Sequence, residues 1–273
     1  FAPKQARKPD AKLYSSLVKN TTTDVASYAL DLLGPIESGA VVHDNGCGCL
    51  EATRALLSKT AGDITIEATD IDPAMLARAK EIVQAEKWST VRVHRMPAEQ
   101  LSFPDSHFSH SISNILIFMT RNDGLDCAKE IFRTLKPGGK AAVTTWATMP
   151  HSKAVDDVHH ALRGDEAALR FVMPERWWTA SHLESVLRQG GFDRTEVKTC
   201  EVELRIDEGE LRDQAEMIWS LRGMPEGGWT SGDEENWDKA IDLLVERMKA
   251  TSHDKSAGGA VFKMVANVAI CTK

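Results

Sequence analysis

Asp44, Gly46 and Gly48 stand two residues apart, and Asp70 follows Gly46 by 24 residues. Residues of these types in this spacing hold a ligand. Glycines let backbone approach a ligand closely and turn where other residues are strained. An acid about 20 residues beyond such a turn grips a ribose diol. The elements that must position them are readable on either side. Residues 40–43 read as a short buried strand. From Leu50 the pattern changes, with Ala52, Ala55, Leu56 and Leu57 at helical spacing. Strand, glycine turn and helix point backbone N–H groups at a nucleotide-like ligand, at the carboxyl end of an open α/β sheet. Residues 64–70 form a second strand that ends in Asp70. Asp72 then caps a helix whose first position is Pro73. Met75, Leu76, Ala79, Ile82 and Val83 give that helix an apolar face. Strand, acid and proline-capped helix together favour a ribose acid over a simple turn acid.

A dinucleotide would want Gly or Ala at the last position of the glycine turn, so that helix and strand pack closely. Glu51 occupies that position. The chain instead resembles the class I S-adenosylmethionine (SAM)-dependent methyltransferases, whose first motif is Asp/Glu-x-Gly-x-Gly-x-Gly. Asp44, Gly46 and Gly48 match it, and Leu50 replaces the third glycine. The resemblance implies an α/β fold: a Rossmann-like sheet of seven strands, mostly parallel with the last antiparallel, with helices on both faces and a helical cap. It implies SAM as cofactor, leaving as S-adenosyl-L-homocysteine, with no metal. Asp44, Asn45, Gly46, Cys47, Gly48, Asp70 and Ile71 would line its first half.

The rest of the resemblance falls on later stretches. After a third strand at residues 90–94, Met96-Pro97-Ala98-Glu99-Gln100-Leu101-Ser102-Phe103 lies in register with the family's next motif. The usual adenine-binding Asp is replaced by Pro97, which leaves the role to the Glu99 side chain and the Ala98 N–H. The stretch from Phe108 to Asn114 resembles the fourth strand, with Asn114 and Ile115 at its carboxyl end beside the methionine part of SAM. Leu135-Lys136-Pro137-Gly138-Gly139 is a family-specific turn between a helix at residues 123–135 and a fifth strand at 141–146. In the family an N-terminal helix often closes over the cofactor, and Tyr14 would be its contributor here.

Length and composition set the frame. The chain has 273 residues, 42% apolar, with a net charge of −7. That suits one elaborated domain and argues against a nucleic-acid backbone as partner. Lys4, Arg7, Lys8 and Lys12 form the only basic cluster, so residues 1–12 are expected to be a disordered arm. Residues 13–273 are expected to form a single domain, with N-terminal helices at 13–34 and cap insertions at about 148–180 and 207–258. The second of those helices would be capped by Thr23 or Asp24 and ended by Gly34-Pro35. No run reaches the roughly 18 apolar residues of a membrane span, and no signal peptide is visible. Five scattered cysteines suit a reducing compartment. The expected location is the cytoplasm, with no membrane, nucleic acid or obligate protein partner.

Beyond residue 147 the motifs stop. Residues 149–176 read as a flap and 181–189 as a helix. Strands six and seven fall at 195–206 and 261–272, with helices near 208–221 and 233–249. Five of the seven Trp residues lie after residue 170. Most are expected to pack the cap, with Trp146, Phe171, Met173 and Trp178 as candidate walls for an apolar acceptor. His43, Cys47 and Cys49 lack the fourth ligand of a structural zinc. His107, His110, His151, His159 and His160 show no spacing that pairs one with a carboxylate, so catalysis is expected to rest on positioning.

Within the family, the stretch from His43 to Gly48, together with Ser113-Asn114-Ile115-Leu116, is similar to fungal small-molecule enzymes of quinone and natural-product pathways. The resemblance favours a thiol acceptor, of the gliotoxin dithiol type. O- or C-methylation of a phenol or quinone is the alternative, followed by a non-catalytic SAM-binding regulator and, against Glu51, a nicotinamide-linked oxidoreductase.

Overall fold

The computed structural model describes residues 1–8, 10–256 and 258–273. In chain order the elements are α1 (Ala11–Val18), α2 (Thr21–Leu33), β1 (Val41–Asn45), α3 (Glu51–Lys59), β2 (Thr65–Asp70), α4 (Pro73–Ala85), β3 (Val91–Arg95), β4 (Phe108–Ser113), α5 (Leu125–Thr134) and β5 (Leu135–Thr148). There follow α6 (Pro150–Arg163), α7 (Ala180–Gln189), β6 (Arg194–Ile206), α8 (Leu211–Arg222), α9 (Ser231–Glu235), α10 (Trp237–Thr251) and β7 (Ala260–Thr272). The chain divides into two compact units. One comprises Asn20–Ala147, Pro174–Val202 and Val265–Lys273; the other comprises Phe1–Lys19, Thr148–Met173 and Glu203–Met264.

The seven strands form one sheet in the order β3-β2-β1-β4-β5-β7-β6. β1 through β5 run parallel. The end of β7 meets the start of β5, where Gly138 N–H donates to Lys273 O and Lys273 N–H to Gly139 O, so β7 runs antiparallel. The central strands are mostly buried on both faces, polar residues included, because a parallel sheet is covered on both sides. Val42, Ile66, Ala68, Phe108, Ile112, Ala142 and Val143 are all fully buried. α2 packs on α3, α5 on α7, and α4 on β2 and β3. The strand order reverses between β1 and β4, the point at which open α/β sheets take their ligands. Register aligns the carboxyl ends there: Asn45 pairs with Thr69 on β2, and Asp44 with Ile112 on β4. Gly46 and Asp70 therefore leave the sheet side by side.

Asp72 caps α4 as its sequence demands, accepting from Ala74 and Met75 N–H. Three local expectations are corrected. α2 starts at Thr21 after Asn20 and has no side-chain cap, so Thr23 and Asp24 lie inside its first turn. The Leu135-Lys136-Pro137-Gly138-Gly139 phrase belongs to β5, because Gly138 is bonded to the end of β7 as if in the ladder. Residues 149–176 contain the fourteen-residue helix α6.

In the second unit the expected disordered arm is ordered chain. Arg7 pairs with Asp213 and Glu216, and its N–H donates to Ser220 Oγ. α1 already begins at Ala11, capped by Asp10. Only Pro9 of that stretch lies outside the described residues. α8 supplies the countercharges of Arg7, and Glu234 of α9 that of Lys4. Here Trp219, Trp229 and Trp237 pack in a row, centroids 6.3 and 5.6 Å apart. Arg163 lies over Trp219 and Trp229 and pairs with Asp233 at 2.7 Å.

Candidate functional site

The loop after β1 is shaped by β2. Thr69 O accepts both Gly46 N–H and Cys47 N–H, each at 2.8 Å. Gly48 N–H donates to Asp70 Oδ2 and Asp72 N–H to Asp70 Oδ1, both at 2.9 Å. Two amides thus orient the Asp70 carboxylate and leave a lone pair on each oxygen for ligand hydroxyls. Gly46 and Gly48 have φ of +72° and +50°, values that favour glycine. A Cβ on Gly46 would stand 2.4 Å from Leu116 Cδ2, whereas on Gly48 its nearest neighbour would be Glu51 Oε2 at 3.5 Å. The first glycine is demanded by the segment after β4, and the second leaves an open cradle.

Asp44 is buried beneath the loop. Its Oδ2 accepts from Thr53 N–H at 3.0 Å and Thr53 Oγ1 at 2.6 Å. It fixes the first turn of α3 against the end of β1. Burial raises its pKa to about 7, against the lowering effect of Thr53, with Glu51 and Asp70 adding repulsion. Glu51 Oε2 accepts Cys49 N–H at 3.1 Å, and burial raises its pKa as well. Asp70 and Glu51 beside the loop disfavour a diphosphate and suit a ligand carrying positive charge.

Ile71, which follows Asp70, is 57% exposed and Met119 55%. Met96 N–H donates to Asp70 O, and Arg121 N–H donates to Glu99 Oε1 at 2.8 Å. These bonds draw residues 70–72, 96–99 and 119–121 together. Ala98 is buried. At the end of β4, Asn114 Nδ2 donates to Thr22 O, and its Oδ1 accepts from Thr144 Oγ1 at 2.8 Å. Ile115 N–H donates to the same Thr144 hydroxyl. Ile115 has φ of +55°, a strained conformation for a β-branched residue of the sort that collects at functional loops.

The expected cofactor residues Asp44, Gly46, Gly48, Asp70, Ile71, Ala98, Glu99, Asn114 and Ile115 thus gather at the ends of β1, β2, β3 and β4. Two are corrected in role. The Asn45 side chain is fully buried, donating to Cys127 Sγ and accepting from Thr69 Oγ1, so only its backbone can serve a ligand. The Cys47 thiol is buried and its pKa lies well above the ordinary value because of that burial. Tyr14 lies on α1, in the other unit. Of the acceptor candidates, Trp146 is buried at the end of β5 and Trp178 is half-buried, its O accepting from Asn267 Nδ2. Phe171, 43% exposed beneath Arg222, and buried Met173 belong to the second unit. His43 stacks on Phe108 and bonds to Thr69, and among the described residues no group of three or more His, Cys, Asp or Glu could hold a metal. Sequence spacing missed Thr53, Thr69, Leu116 and Thr144. Each acts through the loop beside it, and small β-branched or aliphatic residues at strand ends carry no signal of that role.

The charge and shape of the loop, the oriented Asp70 and the apolar Ile71 fit an adenosyl group with a cationic sulfonium. Residues 42–139 match the family described as a methyltransferase domain. The chain is 26% identical over 244 residues to an acetylaranotin bis-thiomethyltransferase of Aspergillus terreus, covering 85% of this chain and 83% of that protein. It is 22% identical over 238 residues to the methyltransferase tpcH of Aspergillus fumigatus, covering 84% and 83%. Among solved structures it is similar to the YcgJ protein of Bacillus subtilis, with a TM-score of 0.59 at 12% identity, covering 93% of this chain and 98% of that one. It is likewise similar to phosphoethanolamine N-methyltransferase 2 of Haemonchus contortus, solved with S-adenosylhomocysteine, with a TM-score of 0.58 at 20% identity, covering 96% and 56%.

Proposed function

We propose that this chain, a class I SAM-dependent methyltransferase, methylates a thiol on a small apolar natural product. The observation that carries the thiol reading is the likeness to a bis-thiomethyltransferase along 85% of the chain. Bound SAM supplies a methyl group on a sulfonium that leaves as a neutral thioether.

The residues around the loop do the binding. Asp70 takes the ribose hydroxyls with the two lone pairs its amide partners leave free. Ile71 and Met119 offer apolar faces to the purine, and Glu99 and the Ala98 N–H meet its edge. Asp44 holds the loop in shape through Thr53. Glu51 and Asp70 favour a net positive ligand over its neutral product, which promotes product release. On the acceptor side a thiolate forms the new S–C bond as the old one breaks, and its proton has already gone to solvent. A thiol with a pKa of about 8.5 is a few per cent ionised at neutral pH, so no dedicated base is required. Positioning in a water-poor site can supply roughly 7–11 kcal/mol of the barrier. The five cysteines, all free and buried, accord with a reducing compartment, and the cytoplasm is the location this reading favours.

The test is mass spectrometry after incubation with isotope-labelled SAM and a panel of dithiols, phenols and amines. Labelled S-methyl thioether from the dithiols supports the reading. Transfer only to phenols or amines overturns the acceptor, and label in no product while SAM still binds favours a regulatory protein.

A further inference from the structure

A buried hydrogen-bond chain runs beneath the glycine loop. His43 Nε2 lies 2.9 Å from Thr69 Oγ1, and Thr69 Oγ1 donates to Asn45 Oδ1 at 3.5 Å. Asn45 Nδ2 donates to Cys127 Sγ at 3.5 Å. At the other end Ser111 Oγ lies 3.5 Å from His43 Nδ1. His43, Asn45, Thr69, Ser111 and Cys127 are all 0% exposed. Burial holds the imidazole neutral, with its pKa near 3, so one ring nitrogen donates and the other accepts. With Thr69 donating onward to Asn45, His43 Nε2–H donates to Thr69 and Nδ1 accepts from Ser111. The bonds then all point one way, from β4 through β1 and β2 to α5.

Two segments flanking the proposed cofactor site touch this chain. The peptide of Thr69 accepts the Gly46 and Cys47 N–H groups, and the next residue is Asp70. At the far end the Cys127 sulfur is within hydrogen-bonding reach of both Thr120 and Ser113. The Thr120 hydroxyl itself donates to Ile117 O, and the N–H of the following Arg121 donates to Glu99. We propose that Thr69 and Cys127 are positioning residues for cofactor binding, setting the glycine loop and residues 119–121 in mutual register through Asn45. Both side chains are fully buried. Their effect passes through the Thr69 carbonyl and through the segment that carries Thr120.

The test is calorimetric binding of SAM by Thr69→Val, Thr69→Ser and Cys127→Ala, far below their melting temperatures and without any acceptor. It therefore does not depend on the thiol reading. Thr69→Val keeps the shape and loses the hydroxyl, and its Kd is expected to rise about tenfold (about 1.4 kcal/mol). Thr69→Ser, which restores the hydroxyl, is expected within about twofold of wild type. Cys127→Ala is expected to weaken binding about threefold, and it decides the matter if Thr69→Val fails to fold. A wild-type Kd for Cys127→Ala, or equal losses in Thr69→Ser and Thr69→Val, overturns the proposal, since packing alone would then explain the burial.

Discussion

The glycine loop and the tryptophan row are held by different physics. The loop is fixed by a few directed hydrogen bonds: its N–H groups donate to Thr69 O, Asp70 Oδ2 and Glu51 Oε2, and Asp44 beneath it accepts from Thr53. The row of Trp219, Trp229 and Trp237 is fixed by buried aromatic area, with one guanidinium laid across two rings. Directed bonds specify a geometry at little net stability, because folding exchanges them for bonds to water. Buried area stabilises strongly and tolerates approximate geometry. Substitutions in the two regions should therefore divide into those that unfold the protein and those that leave it folded but unable to bind.

The largest loss of stability is expected from Trp219→Ala, which empties a site only 1% exposed and should cost about 3–5 kcal/mol in urea unfolding. A loss below about 1 kcal/mol would show that the aromatic row is not what holds its unit. Gly46→Ala sits between the two classes. It combines a φ of +72° with a Cβ 2.4 Å from Leu116, and roughly 2–4 kcal/mol should be lost together with SAM binding. Adding Leu116→Ala should restore part of the stability, and no recovery would mean that backbone strain alone is responsible.

Asp44 sharpens the comparison through pH. Its folded pKa, about 7, lies above the ordinary 3.8, so the folded state holds the proton more tightly. The stability this group contributes is present below about pH 4 and lost as pH rises through 7. Denaturation of Asp44→Asn across that range should lack this fall relative to wild type. Parallel curves would show that the carboxylate is ionised in the fold throughout. The smallest effect is expected from Glu51→Gln, which keeps an acceptor for Cys49 N–H and removes one charge. SAM affinity should drop roughly threefold, with no matching drop for S-adenosyl-L-homocysteine. Equal losses for both would place the charge away from the sulfonium.

What the chain's letters disclose follows the same division. Asp44, Gly46, Gly48, Asp70, Asp72 and Pro73 obey local rules of turn, cap and strand end, and they stand where those rules put them. The Asp/Glu-x-Gly-x-Gly spacing and the acid 24 residues on therefore located the glycine loop and its neighbour Asp70, and the strand boundaries, the start of β5 apart, fell within a few residues. The interior chain of His43, Thr69, Asn45 and Cys127 was not readable, because its members are distant in sequence and meet only through the register of β1, β2 and α5. For the same reason Asn45 read as a ligand residue, and the basic residues before Ala11 read as a free arm until α8 supplied Asp213 and Glu216. Glu51 was visible as a departure from the dinucleotide pattern, but its bond to Cys49 N–H was not.

The central claim is that the loop leaving β1 and the carboxylate ending β2 together hold one SAM molecule. Isothermal titration of SAM into Asp70→Ala tests it directly, beside wild type and with folding checked by circular dichroism. Hydrogen bonds to a charged acceptor contribute about 1.5–3 kcal/mol each, so removing the carboxylate should leave no measurable heat of binding in a protein that melts close to wild type. A folded Asp70→Ala variant that binds SAM with near-normal affinity would contradict the account.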